Sequence, residues 1–235
     1  MLFRSILSPF LKRWDKKKAL TATKYFAIST AVQQRIRDAY GIESEVLPAP
    51  HTIDASLPEE PVDISPLPGI SEGFYLCICR LLPYKNVDVV IQAMSSLNLP
   101  LIVVGAGPEE AHLQRMAGPS ALMLKDLSDG EVRWLYAHCR AVISASYEDF
   151  GLTPIEAATY GKPSVVLRWG GFLDTIREGE TGLYFDEPTP EAVSKAVALS
   201  RQRDWDAELI RAHAELFSEE HFARRLTEEV ARLRE

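Results

Sequence analysis

Short apolar runs alternate with amphipathic stretches along most of the chain. Continuous apolar runs predict strands buried on both faces, and apolar residues at three- and four-residue spacing predict helices. The predicted strands are 24–29, 45–50, 74–79, 101–105, 121–125, 141–146, 164–168 and 182–185. The predicted helices are 31–41, 86–97, a short one within 107–118, 128–139, 154–161 and 172–179, with two or three more in 190–235. This alternation predicts an α/β fold with a doubly wound parallel sheet covered on both faces.

Two of the predicted helices begin with the local signals of a capping box. Ser128 and Glu131 have the required spacing, because a serine hydroxyl and a glutamate three residues later satisfy each other's backbone amides. Thr153, Pro154 and Glu156 repeat the pattern, with proline at the first helical position. We therefore expect helices to start at both places.

Residues 1–20 differ from the rest of the chain. Apolar residues recur there at helical spacing, Pro9 interrupts them, and six cations face a single acid, Asp15. A basic amphipathic helix can lie on a membrane surface, or its apolar side can pack on protein as a connector or leader. The apolar residues are Phe3, Ile6, Leu7, Phe10, Leu11 and Trp14, and the cations are Arg4, Lys12, Arg13, Lys16, Lys17 and Lys18.

Composition and charge exclude several classes of protein. Of 235 residues, 46% are hydrophobic and 25% are charged, which is typical of a globular chain rather than a disordered one. The net charge of −7 argues against a general nucleic-acid binder. No apolar run approaches the roughly 20 residues of a membrane span. We see no secretory signal, and three cysteines suit a reducing compartment, so a cytoplasmic protein is expected.

Ligands of doubly wound sheets bind at the carboxyl ends of the strands. Arg80 follows the strand 74–79, and Lys85 comes just before the next helix. Two cations beside a helix N-terminus can hold a phosphate, although they can equally be surface cations of a loop.

Two glycines follow the strand 101–105. Gly105 and Gly107 allow a ligand or a second backbone to come close. The third glycine of a dinucleotide fingerprint is absent, because position 110 is Glu110, and no Walker sequence is present. Nicotinamide dehydrogenases and P-loop NTPases are therefore unlikely classes for this chain.

The segment after the strand 141–146 carries the densest set of polar groups. Glu148 stands in a loop ahead of a helix start, where a carboxylate can accept hydrogen bonds from hydroxyls. Amides of residues 150–153 can donate to oxygens. Glu156 either caps its own helix or binds a ligand, and one carboxylate can do both.

These segments resemble, in order, the motifs of family 4 retaining glycosyltransferases, also called glycosyl transferases group 1. EDFGLTPIEAATYGKPSVV resembles the family signature with two glutamates, and CRLLPYKNVDVVIQAM resembles its donor-phosphate segment. LIVVGAGPE, GGFLDTIREGETGLYF and YFAISTAVQQRIRDAYGI resemble three further segments. Ala106 stands where the family usually has Asp, and Asp174 where it usually has Glu.

The resemblance implies a GT-B fold, of which this chain would be the Rossmann-like C-terminal half. It implies a connector over 1–20 and a donor-binding domain over 21–235, with the closing helices in 190–235. The acceptor-binding N-terminal half would then be supplied in cis or in trans.

The resemblance also implies a function and a set of roles. The donor would be a nucleoside diphosphate sugar, with GDP or UDP as the nucleotide and a loose similarity to mannosyltransferases. The acceptor would be a glycan or a lipid-linked molecule, and no metal or other cofactor would be obligatory. Arg80 and Lys85 would hold the diphosphate, and Glu148 would contact the donor sugar.

The remaining roles that the resemblance implies concern the rest of the donor. The amides of Phe150, Gly151 and Leu152 would bind oxygens of the sugar and phosphates, and Glu156 would accept from the ribose. The base would lie near Lys125, Asp126 and Leu127, close to the turn at Gly105.

Two other functions remain open on the sequence. A degenerate homologue could act as a non-catalytic partner or scaffold subunit, since Ala106 and Asp174 depart from the family pattern. The basic segment 1–20 could attach the protein peripherally to the inner face of a membrane.

Overall fold

The computed structural model describes residues 2–233, with backbone only at residues 2–7 and 72. The strands are β1 (Phe26–Ala27), β2 (Glu45–Val46), β3 (Phe74–Ile78), β4 (Leu101–Val104), β5 (Ala121–Leu124), β6 (Cys139–Ser144), β7 (Ser164–Leu167) and β8 (Gly182–Phe185). The helices are α1 (Leu2–Ala19), α2 (Thr30–Tyr40), α3 (Val87–Ser96), α4 (Glu110–Met116), α5 (Asp129–His138), α6 (Leu152–Thr159), α7 (Phe172–Thr175), α8 (Pro190–Arg201), α9 (Ala207–Ala214) and α10 (Glu219–Arg232).

The strands β3 to β8 form one parallel sheet of six strands, in the order β5-β4-β3-β6-β7-β8. The predicted doubly wound parallel sheet is therefore confirmed. The strand order reverses between β3 and β6, which are neighbours in space but not in sequence. Such a reversal leaves a crevice at the carboxyl ends of the two strands, because their connections leave in opposite directions.

Alternate residues of each central strand enter two different hydrophobic cores. Tyr75 and Cys77 pack with α3 and α8, whereas Phe74 and Leu76 pack with α5 on the other face. Leu76 is completely buried. Because both faces are covered, these strands are apolar without interruption, which is what made them recognisable in the sequence.

The predicted strands 24–29 and 45–50 do not join this sheet. Only two residues of each predicted segment are in a strand. These strands, β1 and β2, pair with each other in a separate parallel sheet. Between them lies α2, which confirms the predicted helix 31–41; Ser29 caps its start and Gly41 follows its last residue. The division into a connector over 1–20 and a domain over 21–235 stays a prediction.

The start of α6 differs from the prediction. Gly151 precedes the helix with φ 88° and ψ 74°, and no side chain caps it. The predicted capping box of Thr153 and Glu156 is therefore wrong. The left-handed turn at Gly151 starts the helix earlier, so Thr153 already lies within it. Pro154 remains compatible with the first turn, where its missing amide is not needed.

The box of Ser128 and Glu131 is confirmed at the start of α5, with both reciprocal hydrogen bonds present. The region from residue 190 onward was predicted to hold two or three helices, and it holds α8, α9 and α10.

The N-terminal helix α1 runs continuously through Pro9. In its described part, the side chains of Phe10 and Trp14 are 76% and 57% exposed. The predicted amphipathic stripe also includes Phe3, Ile6 and Leu7, whose side chains lie outside the described residues. Tyr40 OH donates to Asp15 Oδ2 at 2.7 Å, which ties α1 to α2.

Candidate functional site

The crevice between β3 and β6 contains a cavity of about 400 Å³. It lies between the carboxyl end of β3, the loop after β6 and the first turn of α6. The lining residues are Ile28, Ala49, Ile78, Cys79, Lys85, Ser144, Phe172 and residues 148–153. Lys85 and Glu148, two of the residues predicted at strand ends, therefore reach the same cavity.

Lys85 and Glu148 form an ion pair in this cavity. Lys85 Nζ donates to Glu148 Oε1, although the two residues are 63 positions apart. Their side chains are only 12% and 23% exposed. Ser146 Oγ donates a second hydrogen bond to Glu148 Oε1 at 2.8 Å. The carboxylate is thus held from two directions, with a poorly hydrated cation beside it.

The loop that carries Lys85 is tied to the loop after β6 by Asn86. Residues Pro83–Lys85 form a 3-10 turn, and Asn86 follows in the left-handed region with φ 50°. Asn86 Nδ2 donates to the carbonyl oxygen of Ala145 at 2.8 Å. This cross-link between the two strand ends brings Lys85 to Glu148.

Arg80 occupies a different environment from Lys85. Its side chain is exposed after the end of β3. It is not among the residues that line the cavity. The structure therefore brings only one of the two predicted cations into contact with Glu148.

The start of α6 presents backbone donors to the cavity. A Cβ atom on Gly151 would lie 2.5 Å from the ring of Phe172, so a larger residue does not fit. Amides of a first helical turn lack intrahelical acceptors and stand at the positive end of the helix dipole. The amides around Gly151 and Leu152 can therefore donate to an anion. The side chain of Phe150 instead packs in a core with Ile155.

A second cavity of about 340 Å³ adjoins the first, and Ile78 lines both. Its other lining residues are Thr52, Ile53, Asp54, Leu57, Asp129, Val132, Arg133, Tyr136 and Glu156. Glu156 Oε2 accepts a hydrogen bond from Tyr136 OH at 2.6 Å. The two signature glutamates thus stand in neighbouring cavities, each with a polar partner from another element.

The other sequence-predicted residues lie farther along the sheet edge and line neither cavity. Gly105 has φ 148°, and a Cβ atom there would lie 1.9 Å from the carbonyl oxygen of Cys79. The sequence predicted that either a ligand or a second backbone comes close to Gly105. In the structure it is a second backbone, that of Cys79. Lys125 Nζ donates to Glu110 Oε1 at 2.5 Å. Asp126 is exposed, whereas Leu127 packs against the core beside α5.

Sequence reasoning missed the contacts that α2 makes with this site. Ser29 Oγ donates to the carbonyl oxygen of Asp149 at 2.5 Å, and Arg35 forms an ion pair with the Asp149 carboxylate. Asp174 Oδ2 accepts from both the amide and the hydroxyl of Thr30 at 3.0 Å. Asp174, one of the two departures from the family pattern, thus anchors α2. Only the capping position of Ser29 has a local sequence signal.

Cys79 was also missed as a lining residue of the Glu148 cavity. A hydrogen bond from the Cys77 thiol lowers the pKa of Cys79, and the positive charge of Lys85 acts in the same direction. Cys77 itself is buried in the core.

The phenol of Tyr136 leads to a prediction about pH. Burial raises its pKa well above 10, and the negative charge of Glu156 adds to this. In the unfolded chain the phenol titrates near 10. The folded chain therefore holds more protons above that pH, and its free energy of unfolding should fall as pH rises beyond about 10.

Urea unfolding at about pH 9 and about pH 11 measures this loss. Tyr136→Phe should make the loss smaller, because the substituted side chain does not titrate. Burial raises the pKa of Tyr184 to about 12, so Tyr184→Phe, outside the site, should also make the loss smaller and is a positive control. An unchanged pH dependence in Tyr136→Phe would contradict the prediction.

Two kinds of feature are absent from the part of the chain that the structure describes. Among residues 2–233, no three His, Cys, Asp or Glu side chains are grouped so that they could hold a metal ion. Within the same range, no helix combines the length and the apolar character that a membrane crossing requires.

The chain is similar in sequence to several glycosyltransferases. It is 27% identical to the D-rhamnosyltransferase WbpZ of Pseudomonas aeruginosa over 226 residues, covering 91% of this chain and 57% of that protein. It is 28% identical to a GDP-mannose-dependent alpha-(1-6)-phosphatidylinositol monomannoside mannosyltransferase of Mycolicibacterium smegmatis, covering 52% of this chain and 37% of that protein. The chain therefore spans 57% of the length of the first relative and 37% of the length of the second.

Solved structures share the fold. Alr3699/HepE of Anabaena in complex with UDP and glucose superimposes with a TM-score of 0.73 and 20% identity, over 89% of this chain and 63% of that one. The sucrose-phosphate synthase of Thermosynechococcus elongatus superimposes with a TM-score of 0.74 and 20% identity, over 94% of this chain and 61% of that one. The predicted fold, the Rossmann-like half of a GT-B glycosyltransferase, is confirmed.

The family model described as glycosyl transferases group 1 matches residues 69–204. That range holds all six strands of the large sheet, and it also holds Lys85, Glu148 and Glu156, whereas part of the lining of both cavities lies before residue 69. Since the match covers more than half of the chain, the protein belongs to the glycosyl transferases group 1 family.

Proposed function

We propose that this chain is the donor-binding half of a retaining glycosyltransferase. It would bind a nucleoside diphosphate sugar, whose sugar is transferred to a glycan or lipid-linked acceptor. The observation that carries the proposal is the Lys85–Glu148 pair at the switch point of the sheet, beside the uncapped start of α6. A cation, a carboxylate and backbone amides together suit a diphosphate that gains charge as the sugar leaves.

The roles follow from the chemistry of each group. Lys85 and Arg80 neutralise the diphosphate, and Lys85 exchanges its contact with Glu148 for one with phosphate. Glu148 then accepts hydrogen bonds from the donor sugar. The amides of Phe150, Gly151 and Leu152 bind sugar and phosphate oxygens at the positive end of the α6 dipole.

The nucleoside belongs to the second cavity in this proposal. Glu156 accepts from the ribose hydroxyls while Tyr136 OH donates to its other side, so the carboxylate keeps a fixed orientation. The base reaches toward Lys125, Asp126 and Leu127, near the turn at Gly105.

We favour guanine over uracil as the base. Asp126 is an exposed carboxylate at the proposed position of the base, so it can accept hydrogen bonds there. Guanine offers a ring N–H beside an amino group, which suits a carboxylate, whereas the single N–H of uracil lies between two carbonyl oxygens. GDP-mannose is therefore the first donor to test, and UDP-sugars are the alternative.

The acceptor and the remaining partners belong to the same proposal. The chain would need an N-terminal half, in cis or in trans, to bind the acceptor and complete the transfer. The protein would lie in the cytoplasm. There α1 would contact the inner face of a membrane, because Phe10 and Trp14 are exposed beside Lys16, Lys17 and Lys18. Liposome flotation with and without residues 1–20 tests that contact, and equal flotation of both would exclude it.

A non-catalytic partner subunit is the second candidate. The exposed side chains of Phe10, Leu11, Trp14 and Leu20 favour it, because they offer an apolar surface for another protein. A monomer that binds a nucleotide sugar would count against this candidate.

Calorimetric titration with GDP, UDP, ADP and GDP-mannose tests the proposal. We expect binding, with GDP tighter than UDP, and GDP-mannose should lose about tenfold in affinity in Glu148→Gln while GDP changes little. Arg80→Ala should weaken every nucleoside diphosphate alike, because it removes a contact with phosphate. Glu43→Gln removes an exposed ion pair with Arg37 and serves as the control. Failure of all four ligands to bind would contradict the proposal.

A further inference from the structure

A second concave site lies at the opposite edge of the large sheet, beside the amino ends of β3, β6 and β7. This cavity has a volume of about 380 Å³. It is lined by Tyr75 of β3, residues 138–141, residues 161–163, Ser200, Arg201, Arg203 and Trp205. Because parallel strands share their direction, this edge is separated from Lys85 and Glu148 by the length of the strands. The proposed donor site makes no use of it.

The lining is strongly cationic in a protein of net charge −7. Four of its residues are lysine or arginine, and no aspartate or glutamate is among the residues that line it. Like charges gathered in one concavity raise its positive potential, which favours the binding of an anion. The four cations are Arg140, Lys162, Arg201 and Arg203.

Lys162 is the most informative of the four cations. It is half-buried, and no hydrogen bond or ion pair of its ammonium is found among the residues whose side chains the structure describes. Its charge acts on the neighbouring Cys139 thiol. An ammonium without an anionic partner inside the protein can bind an external anion without first breaking an ion pair.

Arg203 is held in place at the rim of the cavity. Its Nη2 donates to the carbonyl oxygen of Gly179 at 2.9 Å, and its Cζ lies 5.4 Å from the ring centroid of Trp205. Trp205 is itself fixed, because its Nε1 donates to the carbonyl oxygen of Ser200 at 3.0 Å. A guanidinium has five N–H donors in a rigid fork, so several remain for a ligand.

Arg140 and Arg201 add charge to the same space, although each already has a polar partner. Their positive charges act on the buried phenol of Tyr75. They therefore contribute to the potential of the cavity even if they do not contact a ligand directly.

We propose that this cavity is a second ligand site, which binds a phosphorylated anion through Lys162 and Arg203. A tetrahedral oxyanion suits a point charge on one side and an arginine fork on the other. The volume exceeds that of a single phosphate group and falls in the range of small-molecule sites. A phosphate ester or a phospholipid headgroup has the required chemistry, and Trp205 provides an aromatic wall for the organic part.

The experiment uses inorganic pyrophosphate as the probe and the full chain carrying Arg80→Ala and Lys85→Ala. These two substitutions weaken the proposed donor site, so that heat of binding reports on the second site. We expect pyrophosphate to bind and its affinity to fall about tenfold or more when Lys162→Gln and Arg203→Gln are added. Because the donor-site residues are already replaced, failure of the proposed function would leave this result unchanged.

Two control variants separate a specific site from general charge effects. Lys195→Gln with Arg115→Gln removes the same charge from exposed positions elsewhere and should leave pyrophosphate affinity unchanged. Lys162→Arg with Arg203→Lys keeps both charges and should retain binding to within a few-fold. Sodium chloride of matched ionic strength should not reproduce the heat. Equal binding in the parent and in Lys162→Gln with Arg203→Gln would overturn the proposal.

Vesicles distinguish the two sources of the phosphate. Flotation with phosphatidylcholine vesicles, with and without phosphatidylglycerol, is compared between the parent and Lys162→Gln with Arg203→Gln. Loss of flotation in the variant supports a lipid headgroup, whereas pyrophosphate binding without flotation supports a soluble phosphate ester. Absence of both pyrophosphate binding and variant-sensitive flotation would overturn the proposal.

Discussion

Replacing Lys85 by alanine is expected to weaken the binding of nucleoside diphosphates about a hundredfold. The substitution removes a charge-assisted contact with phosphate, worth about 1.5–3 kcal/mol. It also leaves the Glu148 carboxylate without its cation, and the remaining negative charge would repel the diphosphate. Both effects act in the same direction, which is why this single change should have the largest effect on binding. Calorimetric titration with GDP measures it.

The same substitution should also destabilise the fold. Breaking a buried pair leaves one charge uncompensated and costs about 3–5 kcal/mol. Glu148 is 23% exposed and keeps its hydrogen bond from Ser146, so we expect a smaller loss of about 1–3 kcal/mol by urea unfolding.

A double variant separates stability from binding. Lys85→Ala with Glu148→Ala removes both charges and should recover part of the lost stability, while nucleotide affinity stays low. Lys195→Ala, at an exposed position of α8, is the control for loss of one positive charge. Unchanged GDP affinity in Lys85→Ala would show that Lys85 does not contact the diphosphate.

The largest effect on stability is expected from Gly105→Ala, at about 4 kcal/mol in the free energy of unfolding. The new Cβ atom would lie 1.9 Å from the carbonyl oxygen of Cys79, and φ is 148°. The obstacle is backbone at the end of β3, which cannot move without disturbing its pairing with β4. Urea unfolding of the variant gives the loss directly.

Gly41 provides a matched control for this prediction. It also has a positive φ, 70°, but a Cβ atom there would meet nothing within 4 Å. Gly41→Ala should therefore show only the backbone cost, about 1 kcal/mol. If both alanine variants lost the same stability, the close approach to Cys79 would not be the cause.

The sequence was sufficient to predict the strands of the large sheet and to place Lys85 and Glu148 at the same edge of it. The strands β3 to β8 are apolar on both faces, so a short local window identifies each of them. Once the sheet is parallel, the carboxyl ends of its strands share one edge, and Lys85 and Glu148 are placed near each other by topology alone. The capping box at Ser128 was equally predictable, because its partners lie three residues apart.

The boundary of α6 shows where local pattern reasoning failed. Thr153 and Glu156 have the correct spacing for a capping box, yet Gly151 turns the chain into the helix earlier. The Glu156 carboxylate then meets Tyr136 of α5, a partner 20 residues away. Two helices must pack before that contact exists, so no local window contains it.

Buried charge at the C-terminus illustrates the same limit. Near the C-terminus, the apolar residues Val230 and Leu233 remain 42% and 49% exposed, whereas Glu229 is buried. Lys24 compensates Glu229 from a position 205 residues earlier in the chain. From sequence alone, a glutamate in a helix is expected to be exposed to solvent, because a buried carboxylate needs a cation as its partner. Here the cation comes from a distant segment, so only the folded chain shows it.

By itself, the sequence determined the fold class, the order of the strands along the chain and the residues that stand at strand ends. These properties depend on periodicity and on near neighbours, which a linear pattern contains. The tertiary structure decided which cation meets Glu148, how α2 is anchored to the site through Asp149 and Asp174, and how cations gather at the opposite edge. Those outcomes depend on distances between segments far apart in the chain, which packing alone sets.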